Sequence, residues 1–279
     1  MTKAIQSIAS IADQFDAIVL DQWGVLHDGS GPYETAPACL NDLHSVGTRI
    51  AVLSNSGKRA APNASRIASM GFEEGIFEIV MTSGEALFLD FQISPKCPRK
   101  ILPIERSEGD ALDWAQGLDI MLSHDIEDAE TILLMGLPDG MGAEAFDDVL
   151  QTALSRKLPL YCSNPDLTSP RAGGALVVSP GALAKTYEDA GGTVHLYEKP
   201  HLPIFRALEA KLNCAPDRHL IVGDSLHHDI QGGANAGWKT LLIEGGIHEA
   251  DLDGTGQQAQ RLADLEGTPR ADFTMTRLR

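Results

Sequence analysis

Short apolar runs recur along the chain, each closed by a polar or glycine-rich turn and each followed by a stretch with helical spacing. The first is AIVLDQWGVLHDG (Ala17 to Gly29), in which Ile18, Val19 and Leu20 read as a strand buried on both faces, ending at Asp21. Arg49 to Leu53, Glu78 to Thr82, His219 to Gly223 and Lys239 to Ile243 repeat the form. Between them lie helix-like segments near Ala38 to Val46, from Pro62 to about Met70 with Gly71 after it, and from Leu202 to Leu212. Strand and helix alternating from the start predict an α/β fold with a doubly wound parallel sheet, a Rossmann-like core.

The character changes around Ser94 to Arg99, where Pro95 and Pro98 fall close together. Beyond them, Lys100 to Ile104, Thr131 to Met135 and Pro159 to Cys162 read as strands, and Ala143 to Arg156 as a helix with Phe146, Val149, Leu150 and Leu154 on one face. The expected organisation is a core (1–90), an inserted smaller α/β domain (91–177) and a return to the core (178–279). The return is marked by the helix that Pro180 and Gly181 open and Gly191-Gly192 end, then by a β-like run, HLYEKP, that delivers Lys199. At the ends, Ile5, Ile8 and Ile11 suggest an amphipathic helix, Leu252 to Glu266 another helix, and DFTMTRL an edge strand. No internal repeat interrupts the pattern.

With 279 residues and 43% hydrophobic composition, both domains have enough apolar mass for a core. A net charge of −17 argues against nucleic acid and anionic membrane as partners, because an acidic surface repels phosphate backbones. A small phosphorylated metabolite stays compatible, provided a metal and local lysines reverse the field where it binds. Cys39, Cys97, Cys162 and Cys214 are far apart with no CxxC spacing, which suits reduced thiols in the cytoplasm. No stretch approaches the roughly 18 apolar residues of a membrane span. Self-association into a homo-oligomer is left open.

Four places carry chemistry in chain order: Asp21 after its strand, Ser54-Asn55 after the next, Lys199 in EKP, and Asp224 with Asp229 in GDSLHHD. Each has a plainer reading by itself. Asp21 could be a turn aspartate, Ser54-Asn55 a helix cap, and Lys199 a solvated lysine. A carboxylate at the C-terminal end of such a strand, however, sits where open α/β sheets bind their ligands.

Together these residues resemble the haloacid dehalogenase-like (HAD) phosphohydrolase superfamily, and the long interval between Asn55 and Lys199 is where members with a large α/β cap carry it. NPD at Asn164 to Asp166 is similar to the subclass IIA members that include sugar-phosphate, nitrophenyl-phosphate and pyridoxal-phosphate phosphatases. The resemblance implies a Mg²⁺-dependent phosphatase that forms an aspartyl-phosphate on Asp21, with Lys199 assisting and Ser54 and Asn55 holding the phosphate. It implies metal ligation by Asp21, Asp224, Asp229 and the backbone carbonyl of Trp23. The oxygen-rich donor set suits a hard ion such as Mg²⁺ better than zinc. Asp166 and Arg171 are the candidates for contact with a polar substrate from the cap, NPD being otherwise a turn. His227 and His228 are neighbours and point apart, so both cannot readily bind one ion; solvent-facing or supporting roles are expected.

One position departs from the resemblance. The superfamily places a second Asp two residues after the nucleophile, and here that residue is Trp23. An indole cannot protonate a leaving oxygen, a service worth about 10² to 10⁴ in rate. His27, on the same loop, is a candidate substitute, its plainer reading being a loop histidine. Phosphotransfer, or a protein that binds a phosphorylated metabolite with little turnover, are therefore alternatives. A nucleotide-binding module is a weaker third, because neither GxGxxG nor GxxxxGK[ST] is found.

Overall fold

The structure is a computed structural model describing residues 2–164, 168–170, 176–178, 180–252 and 256–279. In chain order the strands are β1 (Lys3–Ala4), β2 (Ala17–Leu20), β3 (Arg49–Ser54), β4 (Ile79–Thr82), β5 (Lys100–Ile104), β6 (Met121–Leu122), β7 (Thr131–Leu134), β8 (Leu160–Cys162), β9 (Thr168–Pro170), β10 (Leu176–Val178), β11 (Val194–Leu196), β12 (His219–Gly223), β13 (Lys239–Ile243) and β14 (Phe273–Met275). The chain divides into two compact units, one of 1–54, 60–81 and 199–279, the other of 55–59 and 82–198.

In the first unit, among the described residues, the sheet runs β1-β14-β13-β12-β2-β3-β4. The neighbours β12 and β13, β12 and β2, and β2 and β3 are parallel, so the fold is the Rossmann-like α/β class. Period-two alternation buries both faces. Ile18, Leu20, Ile50, Val52, Leu220, Val222, Leu241 and Ile243 pack with Leu40 and Leu43 of the helix Ala36–Ser45. On the opposite face Leu242 packs with Ala259 and Ala263 of the helix Gln257–Glu266. Strand order reverses between β2 and β12, which are adjacent although nearly two hundred residues apart in sequence. That reversal is the switch point at which open α/β sheets leave a crevice beyond their carboxyl ends.

Both ends of the chain differ from the sequence expectation. Ile5, Ile8 and Ile11 are buried, but the segment forms two short 3₁₀ turns (Ile8–Ser10 and Ala12–Gln14) instead of an α-helix, with Ile8 opening the first turn, Ile11 capping it and Ile5 ahead of both. Their spacing of three residues is that of the 3₁₀ turn itself. Phe273–Met275 is not the edge, because Lys3–Ala4 pairs in parallel outside it, Lys3 opposite Phe273. The C-terminal helix begins at Gln257, and the expected helix from Ala143 opens as a 3₁₀ turn that becomes α-helical at Asp147.

The second unit has its own parallel sheet, β11-β8-β7-β5-β6, and its own core of Leu134, Leu150, Leu160, Leu183 and Tyr187. Its boundaries differ from the division at 91 and 177 drawn from the sequence. The helix Ser83–Ile93 belongs here because Trp114 Nε1 donates to the Gly84 carbonyl at 2.7 Å and Phe91 meets Trp114 edge-on. Residues 55–59 join it through the Thr82 hydroxyl, which donates to the Lys58 carbonyl at 2.6 Å, and the Arg59–Glu85 ion pair at 2.6 Å. At the far side, β11 pairs with β8, Val194 opposite Leu160, so this strand and the helix Pro180–Asp189 belong to the second sheet and not to the core. Lys199 therefore does not end a core strand. It is the first residue of the returning segment.

Candidate active site

The register of β2 builds the first half of the site. Leu20 lies opposite Val222 of β12, and the Asp21 N–H donates to the Val222 carbonyl at 2.9 Å, so Asp21 leaves the sheet beside Gly223 and Asp224. On the other side Leu20 lies opposite Val52, which brings buried Ser54, the last residue of β3, to the same edge. Asn55 begins the segment grouped with the second unit. Asp166 and Arg171 lie outside the described residues.

Asp229 is placed by local backbone geometry. After β12, Ser225 caps a turn of π-helix (Leu226–Gln231), its hydroxyl accepting from the His228 N–H at 3.1 Å. Asp229 reaches back so that its Oδ2 accepts from the Ser225 N–H at 3.1 Å. This is a reciprocal cap like the capping box, with the returning acid one residue later because the turn is wide. Its other oxygen is turned to Lys199. The buried Lys199 ammonium donates to Asp21 Oδ1 and to Asp229 Oδ1, each at 2.6 Å.

Oxygen atoms of Asp21, Asp224 and Asp229 lie within 4.8 Å of one another, and they form the metal-capable cluster found among the described residues. One ammonium faces three carboxylates, so the cluster is short of positive charge. Glycines make room for it: a Cβ on Gly24 would fall 1.8 Å from Asp224 Oδ2, and one on Gly246 2.2 Å from the same oxygen. Gly24 also has φ +76°, which only glycine adopts freely. The Ile247 N–H donates to Asp224 Oδ2 at 2.9 Å.

These surroundings set the charges. Burial raises the Asp21 pKa, Lys199 draws it back and Asp229 pushes it up, for a net rise. Burial, with the charges of Asp21 and Asp229, pushes Asp224 up to about 7. For Lys199 burial works against the charge, but the two carboxylates outweigh it and hold the ammonium well above its ordinary range. Burial, then Lys199 and His227, brings His228 down to about 4, so its ring is neutral at pH 7. The His227 ring is exposed and pairs with Gln231 at 3.0 Å. Neither ring belongs to the carboxylate cluster.

His27 takes a different place from the acid/base substitute considered above. It is fully buried, its Nδ1 accepts from the Gly29 N–H at 3.1 Å, and burial, with the charge of Arg66, lowers its pKa. It is a neutral ring holding its own loop, and Trp23 leans on it with ring centroids 5.7 Å apart and planes at 70°. Trp23 itself is 59% exposed.

The sequence reading missed the support beneath Asp21. Gln22 is buried, its amide donates to Asn63 Oδ1, and Arg66 Nη2 donates to Gln22 Oε1 at 2.7 Å. Asn63 and Arg66 lie on the helix Ala60–Ser69, so this brace ties the residue after Asp21 to the helix that follows β3. One polar residue about forty positions from two others on a later helix gives no sequence signal. That the Gln directly after Asp21 is buried appears only in the structure.

Comparison with known proteins gives the lineage. Residues 18–102 match the family model for haloacid dehalogenase-like hydrolases, and 196–266 a second one, HAD-hydrolase-like. A haloacid dehalogenase-like hydrolase from Brucella suis is 29% identical and superposes with a TM-score of 0.78 over 99% of this chain and 100% of its own. The glycerol-3-phosphate phosphatase of Gallus gallus is 25% identical over 267 residues, 87% of this chain and 83% of the relative. The structure of a glycerol phosphate phosphatase from Mycobacterium tuberculosis in complex with calcium, 23% identical, superposes with a TM-score of 0.66 over 85% of this chain and 68% of that one. The chain belongs to the haloacid dehalogenase-like hydrolases and has the fold of their subclass IIA phosphatases.

Proposed function

We propose that this protein is a Mg²⁺-dependent phosphatase of a small phosphorylated metabolite, acting in the cytoplasm through an aspartyl-phosphate formed on Asp21. The observation that carries the reading is the pair of 2.6 Å contacts from the Lys199 ammonium to Asp21 and Asp229, beside Asp224 at the switch point. Asp21 is the nucleophile, and Lys199 both orients it and offset charge on the incoming phosphoryl group. Ser54, Asn55 and the backbone after them hold phosphate oxygens. Asp21, Asp224, Asp229 and the Trp23 carbonyl would hold the metal, the all-oxygen donors and surplus negative charge fitting a hard divalent cation. Bound there, it would neutralise charge on the phosphate. The names of the relatives support a small phosphorylated substrate, and four free cysteines accord with the cytoplasm. No helix among the described residues is long and apolar enough to cross a membrane.

Mg²⁺-dependent release of phosphate from nitrophenyl phosphate and acetyl phosphate tests the reading, and no turnover on either with Mg²⁺ present would overturn it. The pH dependence of metal binding is a second check. Below about 7 Asp224 is protonated in the metal-free site and the cation must displace that proton, whereas above 7 the carboxylate is already charged. The rise in melting temperature on adding Mg²⁺ is expected to be larger at about pH 8 than at about pH 6. Equal shifts would count against Asp224 as a ligand.

A reading with little turnover, or with phosphotransfer to an acceptor better than water, draws on Trp23 and His27. Neither offers a titratable proton at neutral pH, the one being an indole and the other a buried neutral ring. Trp23→Asp is expected to raise turnover on alkyl phosphates more than on nitrophenyl phosphate, because an alkoxide needs an acid to leave and an aryl oxide hardly does. An unchanged alkyl-to-aryl ratio in the purified variant would show that position 23 is not where the acid is missing.

A further inference from the structure

Trp23 has an unusual setting for a tryptophan. The other two, Trp114 and Trp238, are buried, whereas Trp23 keeps 59% of its surface open. It is nevertheless held in place. Its six-membered ring lies over Gly29, where an added Cβ would fall 2.4 Å from Cζ2, and Gly29 has φ +92°, so both the backbone and the space require glycine. The buried His27 ring meets it edge-on. Its backbone lies in a tight turn in which the Gly24 N–H donates to the His27 carbonyl at 3.1 Å and the Leu26 N–H to the Gln22 carbonyl at 2.8 Å. The residue before it is Gln22, fixed by Asn63 and Arg66, and the residue after it is Gly24, seated against Asp224.

A large, exposed aromatic side chain is thus fixed on rigid supports, two residues after Asp21 and next to Gly24, the residue seated against Asp224. We propose that Trp23 is a specificity-determining residue, a stacking surface for a planar aromatic or heteroaromatic leaving group on the substrate phosphate. The inference rests on the phosphatase reading and names its substrate class. Binding and chemistry point the same way. An indole offers a π-face to a planar ring, and a site without an acid at this position works best on an oxygen that leaves unprotonated. In the transfer, the P–O bond to the aryl oxygen breaks as the Asp21 carboxylate forms its own P–O bond. The aryloxide departs with the bonding electron pair and takes a proton from water.

The test uses phosphonates, whose P–C bond is not cleaved, with the full-length protein and saturating Mg²⁺. Calorimetry compares phenylphosphonate with methylphosphonate in the wild type, Trp23→Phe and Trp23→Ala. Wild type is expected to bind the phenyl compound about fivefold to tenfold more tightly, the scale of one good aromatic contact. Trp23→Phe should keep most of that preference and Trp23→Ala should lose it, the readout being the ratio of the two affinities within each protein. Because the other tryptophans are buried, quenching of emission by phenylphosphonate, absent from both variants, reports the contact at Trp23 itself. Equal affinities for the two phosphonates in wild type, or a preference that survives in Trp23→Ala, would overturn the stacking inference while leaving the phosphatase reading intact. Failure of the wild type to bind either phosphonate or inorganic phosphate would overturn both.

Discussion

Replacing Asp21 with Asn is expected to abolish turnover and to leave the metal-free protein at least as stable as wild type. The loss of activity follows from chemistry, since an amide cannot form the acyl phosphate, and removing a catalytic nucleophile costs on the order of 10⁶ in rate. The stability follows from the charges. Burial and the repulsion of Asp229 raise the Asp21 pKa despite Lys199 at 2.6 Å. An acid whose pKa is higher in the folded state than in the unfolded one costs stability at every pH above its unfolded value, and pH 7 lies above the ordinary carboxylate range. Asn has the same shape without that charge, and Lys199 keeps its contact with Asp229 at 2.6 Å. Steady-state assays with nitrophenyl phosphate and urea unfolding without metal would check both halves. Activity near the wild-type level would rule out Asp21 as nucleophile. A large drop in metal-free stability would instead mean that the Asp21–Lys199 pair holds the fold together more than burial opposes it.

How far this site could be read from the sequence depends on how each residue is placed. Asp21 and Asp224 were legible because each directly follows a fully apolar run, and a parallel order that reverses between β2 and β12 brings such strand ends together. Asp229 was legible as an acid near Asp224, but not its anchorage, since the cap on Ser225 depends on the wider π-turn. Lys199 could be picked out from EKP, yet its preceding strand was given to the wrong sheet. A three-residue run such as Val194–Leu196 has no feature that says which sheet it will extend. Gly24 and Gly246 were invisible as a pair, because their shared task of admitting Asp224 appears only once two distant loops meet. The N-terminal isoleucines illustrate a similar limit: a repeat of three fits an α-helix and a 3₁₀ turn alike over so short a stretch.

Lys199→Met is expected to lower turnover by about 10² to 10³, the scale of losing one preorganised charge that stabilises a developing anion. Its effect on folding must be separated from that loss. The ammonium is buried between Asp21 and Asp229, and removing one member of such a cluster typically costs about 3–5 kcal/mol because the charges left behind have no partner. The pH dependence gives the separation. The Lys199 pKa is raised on folding, so its contribution is fully present below the unfolded value and is lost only as pH rises through the folded one, far above neutrality. In the variant Asp21 and Asp224, both already raised by burial, lose the cation that draws them down and take up protons more readily, so its stability deficit should narrow as pH falls from about 8 to about 6. Denaturant unfolding at both pH values, with turnover per folded molecule measured where the variant is most stable, resolves the two effects. A deficit that does not change with pH would place the Lys199 contribution in packing instead of charge. Wild-type turnover in fully folded Lys199→Met would remove the ammonium from the chemistry and leave it as a structural tie between Asp21 and Asp229.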